Sequence, residues 1–346
     1  MARIFQSAVP VAASVVAILF ALSAQAGTTQ LLATCAAPQP EIASAWPDTD
    51  FARCAAPLGE VISGGPPKDG IPPIDSPLFV SLPELARTAD FTVEPREPVI
   101  ELTLDGVTRA YPLSVLMWHE IVNDEIAGVP VAVTYCPLCN TAIAFDRRLE
   151  TGSGVTVLDF GTTGKLRNSD LIMYDRQTES WWQQYDGSGL FGALADRRLT
   201  ILASRLVSFA EFASRHPQAE ILVPSGRHQR RYGANPYVGY DSSQFPFLFS
   251  GEVPPGIAPL ARVVVVGDRA WSLTHLQNHR EIVSDGLTIR WRPGQASALD
   301  TRQIADGRDV GTVSVTGPTG DVPYKVTFAF VWHAFNPGAP IIGLEK

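Results

Sequence analysis

Two cysteines separated by Pro137 and Leu138 form the most chemically loaded stretch of this 346-residue chain. A Cys-x-x-Cys spacing lets the sulfurs bind one metal ion, cycle between dithiol and disulfide, or stay as an inert local disulfide. The flanks bear on the choice. In a thioredoxin-like site the pair sits on the N-terminus of a long helix, whose dipole lowers the thiol pKa. Here an apolar run, Gly128 to Tyr135, precedes the pair, and Ala142, Ile143, Ala144 and Phe145 alternate after it. Strand, Cys-Pro-Leu-Cys, strand is the shape of a metal-binding knuckle. The expectation is therefore a transition-metal centre, copper or zinc, at Cys136 and Cys139. A thiol–disulfide oxidoreductase using the same pair, and a non-enzymatic binding module with structural disulfides, stay open beside it. The spacing does not separate an enzyme from a carrier.

Two thiolates are too few for a tetrahedral or trigonal site. His119 and His216 are the expected further ligands, and with Met173 they would make a soft set suited to copper(I). Each histidine also has a plainer reading: His119 on a helix surface beside Glu120, and His216 at a helix C-terminus favoured by the dipole. His228, among Arg227, Arg230 and Arg231, reads as a solvated loop residue. Cys35 and Cys54 could complete a four-sulfur site, but two lone cysteines in an exported arm are expected to pair as a disulfide. A polar stretch follows the knuckle. Leu171 to Tyr174, the turn Asp175 to Thr178, and Ser180 to Tyr185 read as strand, turn, strand. Asn168, Asp170, Asp175 and Glu179 are candidates for a ligand-binding wall with acid–base groups, and Trp181 and Trp182 for stacking on a ligand. The plainer reading is a hairpin whose aspartate caps its own turn. No phosphate-binding glycine loop, nucleophile elbow or HExxH occurs.

These residues need elements to hold them. Gly 28 and Pro 28, spread along the chain, favour short strands and turns over long helices. Val99 to Leu104 reads as a strand ending at the turn Asp105-Gly106, and Leu113, Leu116, Met117 and Ile121 give a one-face helical spacing over Tyr111 to Asn123. Residues 1–26 carry a charge at Arg3, an apolar run from Val9 to Leu22 and small residues at Ala24 and Ala26, which is the pattern of a cleaved secretory signal. The expected location is periplasmic or secreted, with no transmembrane domain after cleavage. A formal charge of −8 with no basic block argues against a nucleic-acid partner.

Internal repetition organises the rest. Arg109-Ala110-Tyr111-Pro112-Leu113 recurs as Arg269-Ala270-Trp271-Ser272-Leu273, and Glu120 to Asp124 as Glu281 to Asp285. Ala142, Ala144 and Asp146 answer to Ala296, Ala298 and Asp300, and Pro217, Ala219 and Ile221 to Pro337, Ala339 and Ile341. The expected fold is β-rich α+β: two diverged tandem repeats of a mostly antiparallel sheet with short helices. The expected divisions are the signal (1–26), a Pro/Gly-rich arm (27–95), a first repeat with the cysteine site (96–223), a linker strap (224–259) and a degenerate second repeat (260–346). Cysteines and polar stretch fall in the first repeat alone, so the chemistry is expected there.

Residues 64–80 (GGPPKDGIPPIDSPLFV), 109–113 (RAYPL), 119–124 (HEIVND), 131–146 (VAVTYCPLCNTAIAFD) and 166–184 (LRNSDLIMYDRQTESWWQQ) carry a resemblance. They are similar to a bacterial and archaeal family known only as a domain of unknown function. The resemblance covers most of the chain from about residue 60 and implies a cell-envelope or exported protein. It brings no activity and no catalytic residues with it.

Overall fold

The computed structural model describes residues 30–87, 91–152 and 154–344; the expected export signal, 1–26, lies outside them. The arm is ordered first by covalent chemistry. Cys35 and Cys54 form a disulfide, and within the loop it closes Trp46 and Phe51 pack edge-on against Trp181. The Pro/Gly run cannot make a helix or a central strand, so it is laid along a neighbouring strand. Gly64 N donates to Gly164 O (2.9 Å), Asp69 N to Thr162 O (2.9 Å), and Tyr174 Oη to the Asp69 carboxylate (2.6 Å). Gly164 has φ +67, and a Cβ there would lie 1.9 Å from Pro66 O. Only glycine lets the arm come this close.

The body begins with β1 (Pro98–Leu104) and β2 (Val107–Pro112). Asp105 and Gly106 between them both have positive φ, as a type I′ hairpin turn requires. Next come α1 (Leu113–His119), β3 (Ile121–Ile126), β4 (Val129–Cys136) and β5 (Thr141–Asp146). The helical spacing overreached at both ends, since Tyr111 belongs to β2 and Ile121 to β3. Glu120 takes φ +59 and turns the chain out of the helix at once. Three elements thus deliver apolar residues to one core, which imitates a single helical face. Then follow β6 (Phe160–Arg167), β7 (Asp170–Asp175), β8 (Trp181–Gln183), β9 (Ser204–Ser208), α2 (Phe209–Arg215) and β10 (Glu220–Val223). The last third holds β11 (Arg262–Val266), β12 (Arg269–Ser272), α3 (Leu273–His279), β13 (Glu281–Ser284), β14 (Leu287–Arg292), β15 (Thr312–Gly317), β16 (Lys325–Phe328), α4 (Ala329–Phe335) and β17 (Ile341–Ile342).

The chain is β-rich. Among the described residues there are six helices, none longer than seven residues, and five sheets of four or five strands. Among the described strands, pairing is antiparallel except for β2 with β10 and β12 with β17, which are parallel, as is the single bridge of Ile74 to Val122. In one five-stranded sheet the order β9-β1-β2-β10, with the arm strand Leu78–Ser81 added outside β10, parallels the four-stranded order β16-β11-β12-β17. In the first, Ala110 pairs with Ile221; in the second, Ala270 pairs with Ile341. β3-β4-β5 likewise has β13-β14-β15 as its counterpart in strand order. Two of the recurrences noted in the sequence do not coincide with the strand positions. Glu120 matches Arg280, not Glu281, in local geometry: each follows a seven-residue helix and takes positive φ. Ala142, Ala144 and Asp146 lie in β5, whose place in the other sheet is taken by β15; Ala296, Ala298 and Asp300 lie in the connection before β15. Scattered alanines do not report strand position.

Candidate metal centre

Cys136 ends β4 and pairs with Thr141, the first residue of β5, so the four residues between them form a tight loop. Asn140 closes it with φ +55. The expected strand–turn–strand geometry is what the chain adopts. The loop is clamped from outside: Thr327 Oγ1 (2.8 Å) and Phe328 N (3.3 Å) from β16 donate to Cys139 O, and Tyr240 Oη donates to Leu138 O (2.8 Å). Both thiols are free and buried, with Cys136 2% and Cys139 0% exposed.

A carboxylate meets them. β6 and β7 are joined by Asn168 and Ser169, both at positive φ, another type I′ signature. This tight turn points the first residue of β7, Asp170, at the knuckle. Asp170 Oδ2 accepts from Cys139 Sγ at 2.8 Å, and Cys136 Sγ lies 3.7 Å from Ser169 O. One ligand atom from each of Cys136, Cys139 and Asp170 falls within 4.8 Å of the other two, and all three residues are buried. Asp170 is held on its other side: Oδ1 accepts from Gln183 Nε2 (2.6 Å) and Tyr185 N (2.8 Å). Thr141 Oγ1 lies 2.9 Å from Cys139 Sγ and donates to Gln184 Oε1 (2.7 Å), whose amide donates to Thr134 Oγ1 (2.9 Å). Fixed neighbours of this kind are what orient metal ligands.

Electrostatics follow from burial. Burial pushes Asp170 up to about 6, against the hydrogen bonds from Cys139, Gln183 and Tyr185 and the Lys325 charge. Burial raises the Cys136 thiol, and it raises Cys139 further, with Cys136 and Asp170 adding to the effect. Glu120 is buried at the end of α1 and is pushed to about 8 by burial and by the Asp170 charge. Lys325 faces the group from β16: burial lowers it to about 8, while Asp186 and Asp170 hold it up. Its ammonium stands 3.7 Å over the Tyr185 ring and donates to Tyr185 O. Tyr185 and Lys325 also line an open pocket of about 810 Å³, shared with Arg198, Phe335 and Asn336.

The other expected site residues are elsewhere. His119 is not brought to the thiols: Nδ1 bonds Pro72 O (2.7 Å) and Nε2 bonds Tyr232 Oη (2.9 Å). A carbonyl only accepts, so Nδ1 carries the proton and Nε2 accepts from the tyrosine. His216 is the residue after α2, 3.4 Å from Glu101, as the helix-terminus reading has it. Met173 is buried within β7, paired with Thr162 and Trp182. Asp175 caps its own turn through Thr178 N (2.7 Å) and accepts from Trp182 Nε1 (2.8 Å). Glu179 pairs with Lys68 of the arm, and Asn168 serves the hairpin turn. Trp181 and Trp182 are 0% exposed, so they are core and do not stack on a ligand. Of the candidate residues in the polar stretch, Asp170 alone joins the cysteines. Sequence reasoning missed Thr141, Gln183, Gln184 and Lys325. In Trp181-Trp182-Gln183-Gln184 the aromatic pair drew the attention, yet two buried glutamines, one ending β8 and one just after it, were the sharper signal, because a buried amide demands partners.

The family comparison now has a structure to stand on. A family model described as "Protein of unknown function (DUF3179)" matches residues 68–339. The chain belongs to this family. Comparison with curated proteins finds no match, and comparison with solved structures finds none either. The matched span contains Cys136, Cys139, Asp170 and Lys325, whereas the Cys35–Cys54 disulfide precedes it. The knuckle therefore lies within the matched span, and the disulfide lies in the arm before it. Among the described residues, no helix is long and apolar enough to cross a membrane.

Proposed function

We propose that the chain is an exported metal-binding protein whose centre is Cys136, Cys139 and Asp170, with zinc as the fitting ion. One observation carries the reading: two thiols and a carboxyl, from two different hairpins, converge within 4.8 Å in a buried site. Two thiolates and a carboxylate leave one of zinc's four positions open, which is the ligand count of catalytic zinc sites. Copper(I) favours a soft set; the carboxylate, and the commitment of His119 to Pro72 and Tyr232, weigh against it. Charge also balances. Three anionic ligands around a dication leave one negative charge, which Lys325 faces.

The redox alternative is weaker. A dithiol that attacks disulfides needs a thiolate near ambient pH and access to its partner. Here burial raises both thiols and covers them. The matching connectivity of the two halves supports reading residues 96–223 and 260–346 as diverged copies, with the metal centre confined to the first; β14 is followed by Pro293-Gly294 and has no cysteine. Export rests on the signal-like residues 1–26 and agrees with the Cys35–Cys54 disulfide. The test is metal content. Protein purified anaerobically should hold stoichiometric zinc, lost in the Cys136→Ser/Cys139→Ser double variant. Full metal in that variant sinks the reading.

A further inference from the structure

The chain's charge of −8 conceals a local basic face. Residues 227–231 read Arg-His-Gln-Arg-Arg, and no carboxylate pairs with Arg227, Arg230 or Arg231 among the described residues. Arg302 has no ion-pair partner there either. Two of these arginines are brought together by the backbone. Ala234 bridges Gln303, and Asn235 N donates to Arg302 O (2.9 Å), so the segments carrying Arg231 and Arg302 run side by side. The first segment is pinned to the body by Tyr232, whose hydroxyl bonds His119 and whose ring stacks on that imidazole at 5.8 Å. Between them opens a pocket of about 490 Å³, lined by Arg231, Arg302, Gln303, Trp118, Pro236 and Val238 among others. Trp118 also lines the pocket wall.

Each feature asks for the same complement. Guanidinium forks without a carboxylate match the geometry of a carboxylate or phosphate. Indole, proline and valine side chains offer a flat apolar wall, and the volume suits a small molecule. We propose that this pocket binds a small organic oxyanion, with a carboxylate or phosphate head on the arginines and a planar body against Trp118. The proposal does not rest on the metal centre, which uses none of these residues.

Isothermal titration of the full exported chain with phenyl phosphate, benzoate, inorganic phosphate and benzyl alcohol tests it. Saturable binding of phenyl phosphate or benzoate is expected, and the tighter of the two names the head group. Inorganic phosphate and benzyl alcohol should each bind about tenfold more weakly, one lacking the body and the other the charge. Arg231→Gln/Arg302→Gln should lose about tenfold or more in affinity. Trp118→Ala removes the flat wall and should weaken binding of the two aromatic probes while leaving that of inorganic phosphate unchanged. Cys136→Ser/Cys139→Ser should bind the probes as the parent does, which separates this site from the metal centre. Absence of saturation up to about 10 mM of both aromatic probes, or undiminished binding by the double arginine variant, overturns the proposal.

Discussion

Metal affinity should climb steeply with pH, and the slope counts the ligands. Zinc binds thiolates and carboxylates, so every ligand proton must leave. Burial raises both Cys136 and Cys139, so near neutrality each thiol holds its proton until the ion displaces it. Asp170, at about 6, has largely lost its proton by pH 7. Two protons are therefore released above about pH 6 and three well below it. Apparent affinity should rise about 100-fold per pH unit between pH 6.5 and 7.5, worth about 2.7 kcal/mol, and about 1000-fold per unit near pH 5. Competition against a chromophoric chelator, corrected for the chelator's own protonation, measures this directly. Asp170→Asn should weaken binding and remove the break near pH 6. Cys136→Ser should bring the upper slope down to about tenfold per unit. A slope of about tenfold or less in the parent protein would mean that at most one thiol is a ligand, and the reasoning from the knuckle would fail.

Two further expectations concern stability. Burial raises Glu97 from 4.5 to about 7, so between those values the native state keeps a proton that the unfolded chain has lost, and stability falls as pH rises across that window. Above it the cost is fixed at about 3 kcal/mol; Glu97→Gln should recover roughly that amount in thermal melts at pH 8 and nothing at pH 4, and an equal gain at both would refute the assignment. The Cys35–Cys54 bridge spans 19 residues, for which loop-closure entropy gives about 3 kcal/mol. A Cys35→Ser/Cys54→Ser variant should lose about that much under non-reducing conditions, and a parent melting curve that ignores both the variant and added reductant would show that the bridge does not contribute.

Much of the site was readable because its chemistry is local. Cys136 and Cys139 declare themselves by spacing, and alternation in Ala142 to Phe145 correctly makes the loop a hairpin end. The pairing of Cys35 with Cys54 follows from there being two cysteines and one arm. The third ligand was one carboxyl among several, because convergence of β7 with the knuckle depends on a turn 29 residues after Cys139, and nothing in a single strand reports such a contact. His119 shows the opposite failure. It is near the cysteines in sequence, but the positive φ at Glu120 ends α1 and leaves its imidazole with Pro72 and Tyr232. Trp181 and Trp182 were misread because aromatic residues serve a core and a ligand wall equally well; only their burial decides. Arg227, Arg230 and Arg231 read as a solvated loop in sequence, because nothing there reports that Arg302 lies beside them.

X-ray absorption at the zinc edge of the loaded protein tests the central claim most directly. The account predicts two sulfur neighbours at about 2.3 Å and one or two oxygen or nitrogen neighbours at about 2.0–2.2 Å, one of them lost in Asp170→Asn. A first shell made of oxygen and nitrogen alone would contradict it.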